Sequence, residues 1–100
     1  MLLAIDIGNT NITLGVFDGE SLADTFRMAP DKDLPQYEYE VLLERLCKNF
    51  DITDCIIASV VEELSQVLKK AADKVFGIES FLPTNNSDLG VKVDLLKPEE

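Results

Sequence analysis

The sequence predicts an α/β fold in which an antiparallel three-stranded meander opens a mixed sheet that helices flank. Three observations carry this reading. Apolar and polar residues alternate through the first strands and are broken by two polar turns; two later stretches place apolar residues at helical spacing; and short apolar runs follow each of those stretches. The resulting order, β-β-β-α-β-α-β, belongs to a layered α/β architecture. A chain of 100 residues suffices for one compact domain that buries about 60 to 70% of its extended surface, and leaves no room for a second.

The elements follow in order. Leu2-Leu3-Ala4-Ile5 reads as a buried strand that delivers Asp6 to its carboxyl end, where ligands of open α/β sheets collect. Ile12, Leu14 and Val16 alternate with Thr13 and Gly15 in a second strand, and Asp18-Gly19 is a hairpin signal before a third over residues 22–28. Residues 29–35 form a loop, with Pro35 suited to a first helical turn and nearby acidic side chains suited to its positive end. Tyr39, Leu42, Leu43, Leu46 and Phe50 then recur as a core stripe.

Residues 54–58 are predicted as a strand. Ser59-Val60-Val61-Glu62 matches a capping box, which is preferred over a ligand contact for Ser59 because a periodic helix follows directly. Leu64, Val67, Leu68, Ala71, Ala72 and Val75 form the buried face of that helix, Gly77 ends it, and Lys69, Lys70 and Lys74 are read as solubilising groups that complement its dipole. A strand over residues 78–82, a polar turn over 83–90 and a last strand over 91–95 complete the expectation. Strand 2–7 and helix 64–75 are expected to expose apolar residues that a larger protein would cover, and so to drive self-association.

The chemistry concentrates in Asp6-Ile7-Gly8-Asn9-Thr10-Asn11. Gly8 lets the backbone approach a ligand or take a positive φ, while Asn9, Thr10 and Asn11 supply short amide and hydroxyl groups around exposed N–H groups: a phosphate cradle. Asp6 cannot itself hold a phosphate, because like charges about 4 Å apart repel by roughly 4 kcal/mol at a protein-surface dielectric. A divalent cation resolves the conflict, and Mg2+ is suited to it, being commonly held by one or two carboxylates and nucleotide phosphates. The plain alternative is a tight turn whose Asn and Thr satisfy local backbone groups. A strand-end carboxylate followed by three consecutive polar residues favours the phosphate reading.

The charge balance narrows the partners. With 9 Lys and Arg against 19 Asp and Glu, the formal charge of −10 argues against a groove for DNA or RNA and against attraction to anionic membranes. The apolar start is interrupted by Asp6, and no run approaches a membrane span, so a soluble cytoplasmic protein is expected. Cys47 and Cys55 match neither a redox motif nor a zinc framework and are expected as reduced, buried thiols. The chain contains no His, which removes Ser-His and Cys-His nucleophile pairs and leaves carboxylates with a metal.

Residues 1–20, MLLAIDIGNTNITLGVFDGE, closely resemble the amino terminus of type III pantothenate kinases, members of the superfamily of acetate kinases, sugar kinases, heat-shock chaperones and actin. Tyr39 with Val41-Leu42-Leu43, and Ser59-Val60-Val61, extend the resemblance more weakly. The resemblance implies an RNase H-like (actin-like ATPase) domain and an ATP phosphate loop at Asp6, Gly8, Asn9, Thr10 and Asn11. It further implies Mg2+ at Asp6 through water, a monovalent cation such as K+, pantothenate as substrate in the first step of coenzyme A synthesis, and a homodimer. It covers the first half of a two-domain kinase; Lys97-Pro98-Glu99-Glu100 resembles the segment that leads into a Gly-Ala-Asp-Arg motif with the proposed catalytic Asp, so the catalytic base is expected beyond Glu100 and the isolated chain is expected to be inactive.

The sequence departs from the family in three places. Pro35-Gln36-Tyr37-Glu38-Tyr39 replaces Thr-x-Asp-Glu-Tyr, Glu62 stands where a Pro commonly follows Ser-Val-Val, and Leu95-Leu96-Lys97-Pro98 replaces a Tyr-Asp-Asn-Pro that lies near pantothenate. These changes keep open a second reading, a non-catalytic regulatory protein of the same family, linked to gene expression. A third, an RNase H-like nuclease, ranks last: two-metal cleavage needs further carboxylates, and the acidic surface would repel a nucleic acid.

Overall fold

The computed structural model describes residues 1–83. Strands β1 (Leu2–Ile7), β2 (Ile12–Asp18) and β3 (Ser21–Met28) form the expected meander, followed by helix α1 (Gln36–Leu46), strand β4 (Asp54–Ser59) and helix α2 (Glu62–Phe76). The sheet order is β3-β2-β1-β4, with β1 antiparallel to β2 and parallel to β4. The parallel pair needs a crossover, which α1 supplies.

Both turns of the meander follow from their residues. Asp18 pairs with Ser21, so the hairpin loop is Gly19-Glu20, one residue later than the Asp18-Gly19 signal suggests. Gly19 has φ 64, the conformation that glycine alone adopts without strain at the first position of a two-residue loop. Opposite Val16 and Phe17 the ladder shifts register, since their partners are Asp24 and Leu22 and Ala23 is left over. Such a bulge bends an edge strand away from further pairing.

Alternation sorts the strand residues into two faces. Leu3, Ile5 and Ile7 of β1, Ile12, Leu14 and Val16 of β2, and Cys55 and Ile57 of β4 share one core cluster with Tyr39 and Leu43 of α1 and Leu64, Leu68, Ala71 and Ala72 of α2. Both helices therefore pack on that face. Tyr39 is fully buried, and its hydroxyl accepts the Asp31 N–H at 3.0 Å and donates to the Asp31 carbonyl at 2.8 Å. The core stripe of α1 thus also ties down the loop before it. Leu3 through Ile7 and the apolar face of α2 are buried, not exposed as expected; among the described residues the large exposed apolar side chains are Leu22, Tyr37, Val41, Val60 and Phe81.

The helix termini correct several expectations. Pro35 is the residue before α1, with φ −70 and ψ 160, so it stands just outside the first turn. Phe50 lies beyond the end of α1, its N–H donating to the Cys47 carbonyl at 3.0 Å while its ring packs on the core. The capping box at Ser59 and Glu62 does not form. The residue before α2 is Val61 and Glu62 is the first helical residue, two positions too early to reach back. Ser59 Oγ instead accepts the Val61 N–H at 3.0 Å and donates to the Val61 carbonyl at 2.9 Å.

Gly77 closes α2 in the left-handed conformation, φ 65, with Gly77 and Ile78 N–H groups both directed to the Asp73 carbonyl. That closure removes most of the strand expected over residues 78–82. Ile78 N–H is committed to the helix end and Ser80 N–H to the Asp73 side chain, so only Phe81 pairs in parallel with Ile56 of β4. The strand expected over residues 91–95, and most of the turn before it, lie outside the described residues.

Candidate functional site

β1 and β4 run parallel and end side by side, and the candidate site is at their carboxyl ends. Asp6 is the last residue but one of β1 and is 6% exposed. It stands opposite Thr13 of β2 and beside Ala58 of β4, on the face of the sheet turned away from the helices. Alternation puts it there: Ile5 and Ile7 are needed by the core, so the residue between them points the other way.

The loop after β1 consists of Gly8, Asn9, Thr10 and Asn11, and the Ile7 to Ile12 pair closes it. Gly8 N–H donates to the Asn11 carbonyl at 2.9 Å. A Cβ on Gly8 would lie 3.2 Å from that oxygen, so glycine serves here by allowing close approach; its φ is not positive. Asn9, Thr10 and Asn11 are exposed, and Asn11 Nδ2 donates to Thr10 Oγ1 at 3.3 Å. The structure therefore brings all five expected residues to one strand end: a buried carboxylate followed by a tight loop of exposed amide and hydroxyl groups.

The segment after β4 joins this edge, since Val60 N–H donates to the Ile7 carbonyl at 3.0 Å. Beside it opens a cavity of about 420 Å³ lined by Ser59, Val60, Glu62, Ser65, Gln66, Leu82 and Pro83. The loop residues do not line it. Two neighbouring regions thus stand out, a loop of exposed amide and hydroxyl groups and a cavity lined by hydroxyl, amide and carboxylate groups.

The donor set at Asp6 consists of hard oxygens, which suit Mg2+. Among the described residues no three His, Cys, Asp or Glu side chains converge as a metal site. A cation at Asp6 would share one protein carboxylate with phosphate oxygens and water, as Mg2+ commonly does. Cys47 and Cys55 are free and buried. Burial pushes the Cys47 thiol up to about 11, and burial, with the nearby charges of Asp73 and Cys47, pushes Cys55 up to about 12. Neither is a nucleophile at neutral pH.

One polar cluster escaped the reading of the sequence. Lys69 donates to Asp73 Oδ2 at 3.0 Å and to the Ser80 carbonyl at 2.7 Å, and Asp73 Oδ1 accepts the Ser80 N–H at 2.7 Å. Lys69 is a structural clamp, not a solubilising group. The i,i+4 spacing of Lys69 and Asp73 was a visible signal; their joint hold on Ser80 was not.

The family model for type III pantothenate kinases matches residues 2–100. A type III pantothenate kinase of Geotalea daltonii is 37% identical over 105 residues, covering 100% of this chain and 41% of the relative. One of Thermus thermophilus is 37% identical over 103 residues, covering 100% of this chain and 40% of the relative. The chain thus spans about two fifths of the length of the curated relatives it matches.

Among solved structures, Thermus thermophilus RuvC aligns with TM-score 0.55 at 14% identity, over 99% of this chain and 80% of that one. The same protein in complex with a Holliday junction substrate aligns with TM-score 0.58 at 15% identity, over 95% of this chain and 72% of that one. At such identity the likeness speaks for the fold alone, which is RNase H-like. The strand-end Asp6, the tight polar loop and a family match along nearly the whole chain lead to one assignment: this chain belongs to the type III pantothenate kinase family.

Proposed function

We propose that residues 1–100 form the ATP-phosphate-binding half of a two-domain pantothenate kinase, which transfers the γ-phosphate of ATP to pantothenate in the first step of coenzyme A synthesis. The observation that carries this is the placement of buried Asp6 directly before the tight loop of Gly8, Asn9, Thr10 and Asn11. Backbone N–H groups and short polar side chains of that loop hold phosphate oxygens. Asp6 holds Mg2+ through water and does not act as a base. When bound, Mg2+ neutralises charge on the phosphates.

The base comes from a Gly-Ala-Asp-Arg motif, which the chain does not contain. A monovalent cation such as K+, a homodimer and a cytoplasmic setting complete the proposal, on the strength of family membership. No described helix is long and apolar enough to cross a membrane. The alternative, a regulatory protein of the same family, draws on the departures at Pro35, Tyr37 and Leu95.

Phosphoryl transfer depends on positioning and charge stabilisation, so half a cleft loses nearly all the rate. A pure preparation of residues 1–100 is expected to fold without phosphorylating pantothenate, while the full-length protein phosphorylates it in a Mg2+-dependent way. Turnover by the isolated chain that survives Asp6→Asn would rule the assignment out, and a full-length protein with no kinase activity would favour the regulatory alternative.

A further inference from the structure

Asp6 lies in a row of residues that crosses the whole sheet. The pairing puts Ala58 of β4 beside Asp6 of β1, Asp6 opposite Thr13 of β2, and Thr13 opposite Arg27 of β3. Phe26 and Met28 pack against the core on the side of the helices, so alternation turns Arg27 to the other face, the one that Asp6 occupies. Ala58 and Thr13 are small and buried, whereas Arg27 is exposed. Two strand spacings, about 10 Å, separate the Arg27 and Asp6 backbones. Only the short side chain of Thr13 stands between them in the row.

Arg27 is also at the edge of the sheet where the tight loop lies. The Ile7 to Ile12 pair closes that loop, and Ile12 is in turn opposite Met28, the residue after Arg27. The charge pattern singles this side chain out. Arg27 is the only Lys or Arg in the first 31 residues, which include Asp6, Asp18, Glu20, Asp24 and Asp31. It is also the only one in the four described strands. The next cation along the chain, Lys32, is committed to Glu63 at 3.1 Å, and the other ion pairs among the described residues engage Lys69 and Lys74. Arg27 takes part in none of them.

The loop proposed for the ATP phosphates offers backbone N–H groups, amides and a hydroxyl, all of them neutral, and the charged residue beside it, Asp6, is negative. A polyphosphate approaching this edge meets a chain whose formal charge is −10, so a cation on the face of Asp6 changes the local field in its favour. A guanidinium presents a planar fork of donors that matches phosphate oxygens, and it stays charged at any pH a protein meets. We propose that Arg27 reaches over Thr13 to the phosphate oxygens of ATP, as the cationic counterpart of Asp6 on the same face of the sheet. This assignment rests on the ATP reading above.

Calorimetric titration of the full-length protein in Mg2+, with ATP and separately with inorganic tripolyphosphate, tests the contact. Arg27→Gln should weaken both ligands by about tenfold or more, and Arg27→Lys, which keeps the charge without the fork, by about threefold. Affinity for adenosine, which carries no phosphate, and KM for pantothenate should stay within about twofold. The thermal midpoint should hardly move, since Arg27 is exposed and in no ion pair. If Arg27→Gln does not fold, Arg27→Lys carries the same comparison. Unchanged binding of ATP and tripolyphosphate would overturn the proposal and leave Arg27 as a charge that keeps an edge strand from pairing. A loss that falls equally on adenosine, or on pantothenate and not on ATP, would overturn it as well. Should the unmodified protein bind no ATP, the ATP reading falls, and tripolyphosphate decides Arg27 alone: binding that Arg27→Gln weakens sustains the phosphate contact, and absent or unchanged binding removes it.

Discussion

Asp6 and Asp73 are both carboxylates held near the end of a secondary structure element, and the chain uses them differently. Asp73 sits in the last turns of α2, where the helix dipole disfavours negative charge. It commits one oxygen to the Ser80 N–H and the other to Lys69. Burial alone would raise its pKa, but the Ser80 and Lys69 hydrogen bonds outweigh it and hold the carboxyl below its ordinary value. Asp6 sits where a parallel pair of strands ends, next to a loop whose Asn9, Thr10 and Asn11 side chains face solvent. A carboxylate surrounded by donors of its own chain builds structure. For Asp6, beside a loop of exposed amide and hydroxyl groups, the role we propose is toward a ligand.

Exchanging charge for amide at each position separates the two. In the full-length protein, Asp6→Asn is expected to lower kcat/KM by about 100-fold or more, the scale on which removal of a charge-stabilising group acts, with little change in thermal midpoint. Asp73→Asn should do the reverse, leaving kcat near normal and costing about 1 to 3 kcal/mol of stability, seen as a lower denaturant midpoint. The pH dependence has a definite sign. Because the folded-state pKa of Asp73 is depressed, its contribution is complete above the ordinary carboxylate range and disappears as pH falls through and below it, under about pH 4. Acid unfolding of the Asp73→Asn chain should therefore be the less steep of the two in that window.

Smaller substitutions sharpen the same contrast. Gly8→Ala places a Cβ 3.2 Å from the Asn11 carbonyl oxygen, so the loop must give by a few tenths of an ångström. KM for ATP should rise by about tenfold with a stability loss of about 1 kcal/mol or less, read by steady-state kinetics and thermal unfolding. Tyr39→Phe removes the hydroxyl that bridges the Asp31 N–H and carbonyl, at a cost of about 1 to 2 kcal/mol with activity retained. The buried thiols give the smallest effect. With values pushed up to about 11 and 12, Cys47 and Cys55 should be inert to an aromatic disulfide reagent at pH 8 and both should react on unfolding.

The two regions also differ in how far a linear reading reaches. The placement of Asp6 and its loop was legible because the five residues are nearly consecutive and a strand pattern fixes their surroundings: alternation in Leu2–Ile7 and Ile12–Asp18 sets which side Asp6 faces and where the loop closes. The Lys69, Asp73 and Ser80 cluster was not, because Ser80 enters it only after Gly77 reverses the chain. The same reversal cut the strand expected over residues 78–82 to one bridge, since backbone groups that periodicity assigns to a ladder are consumed by the helix end. The capping box failed for a related reason. Ser-Val-Val-Glu has the right letters, but β4 runs through Ser59, which places the start of α2 at Glu62 and leaves Glu62 no helical turn to reach across.

The central claim is that Asp6 and its loop bind the phosphates of ATP through Mg2+. Calorimetric titration of the full-length protein with ATP, in Mg2+ and then in excess chelator, measures this directly. The account predicts saturable binding that weakens at least tenfold when Mg2+ is removed, and an Asp6→Asn protein, folded by its circular dichroism, whose weaker binding no longer responds to Mg2+. Equal affinity and equal Mg2+ dependence in the unmodified and Asp6→Asn proteins would contradict it.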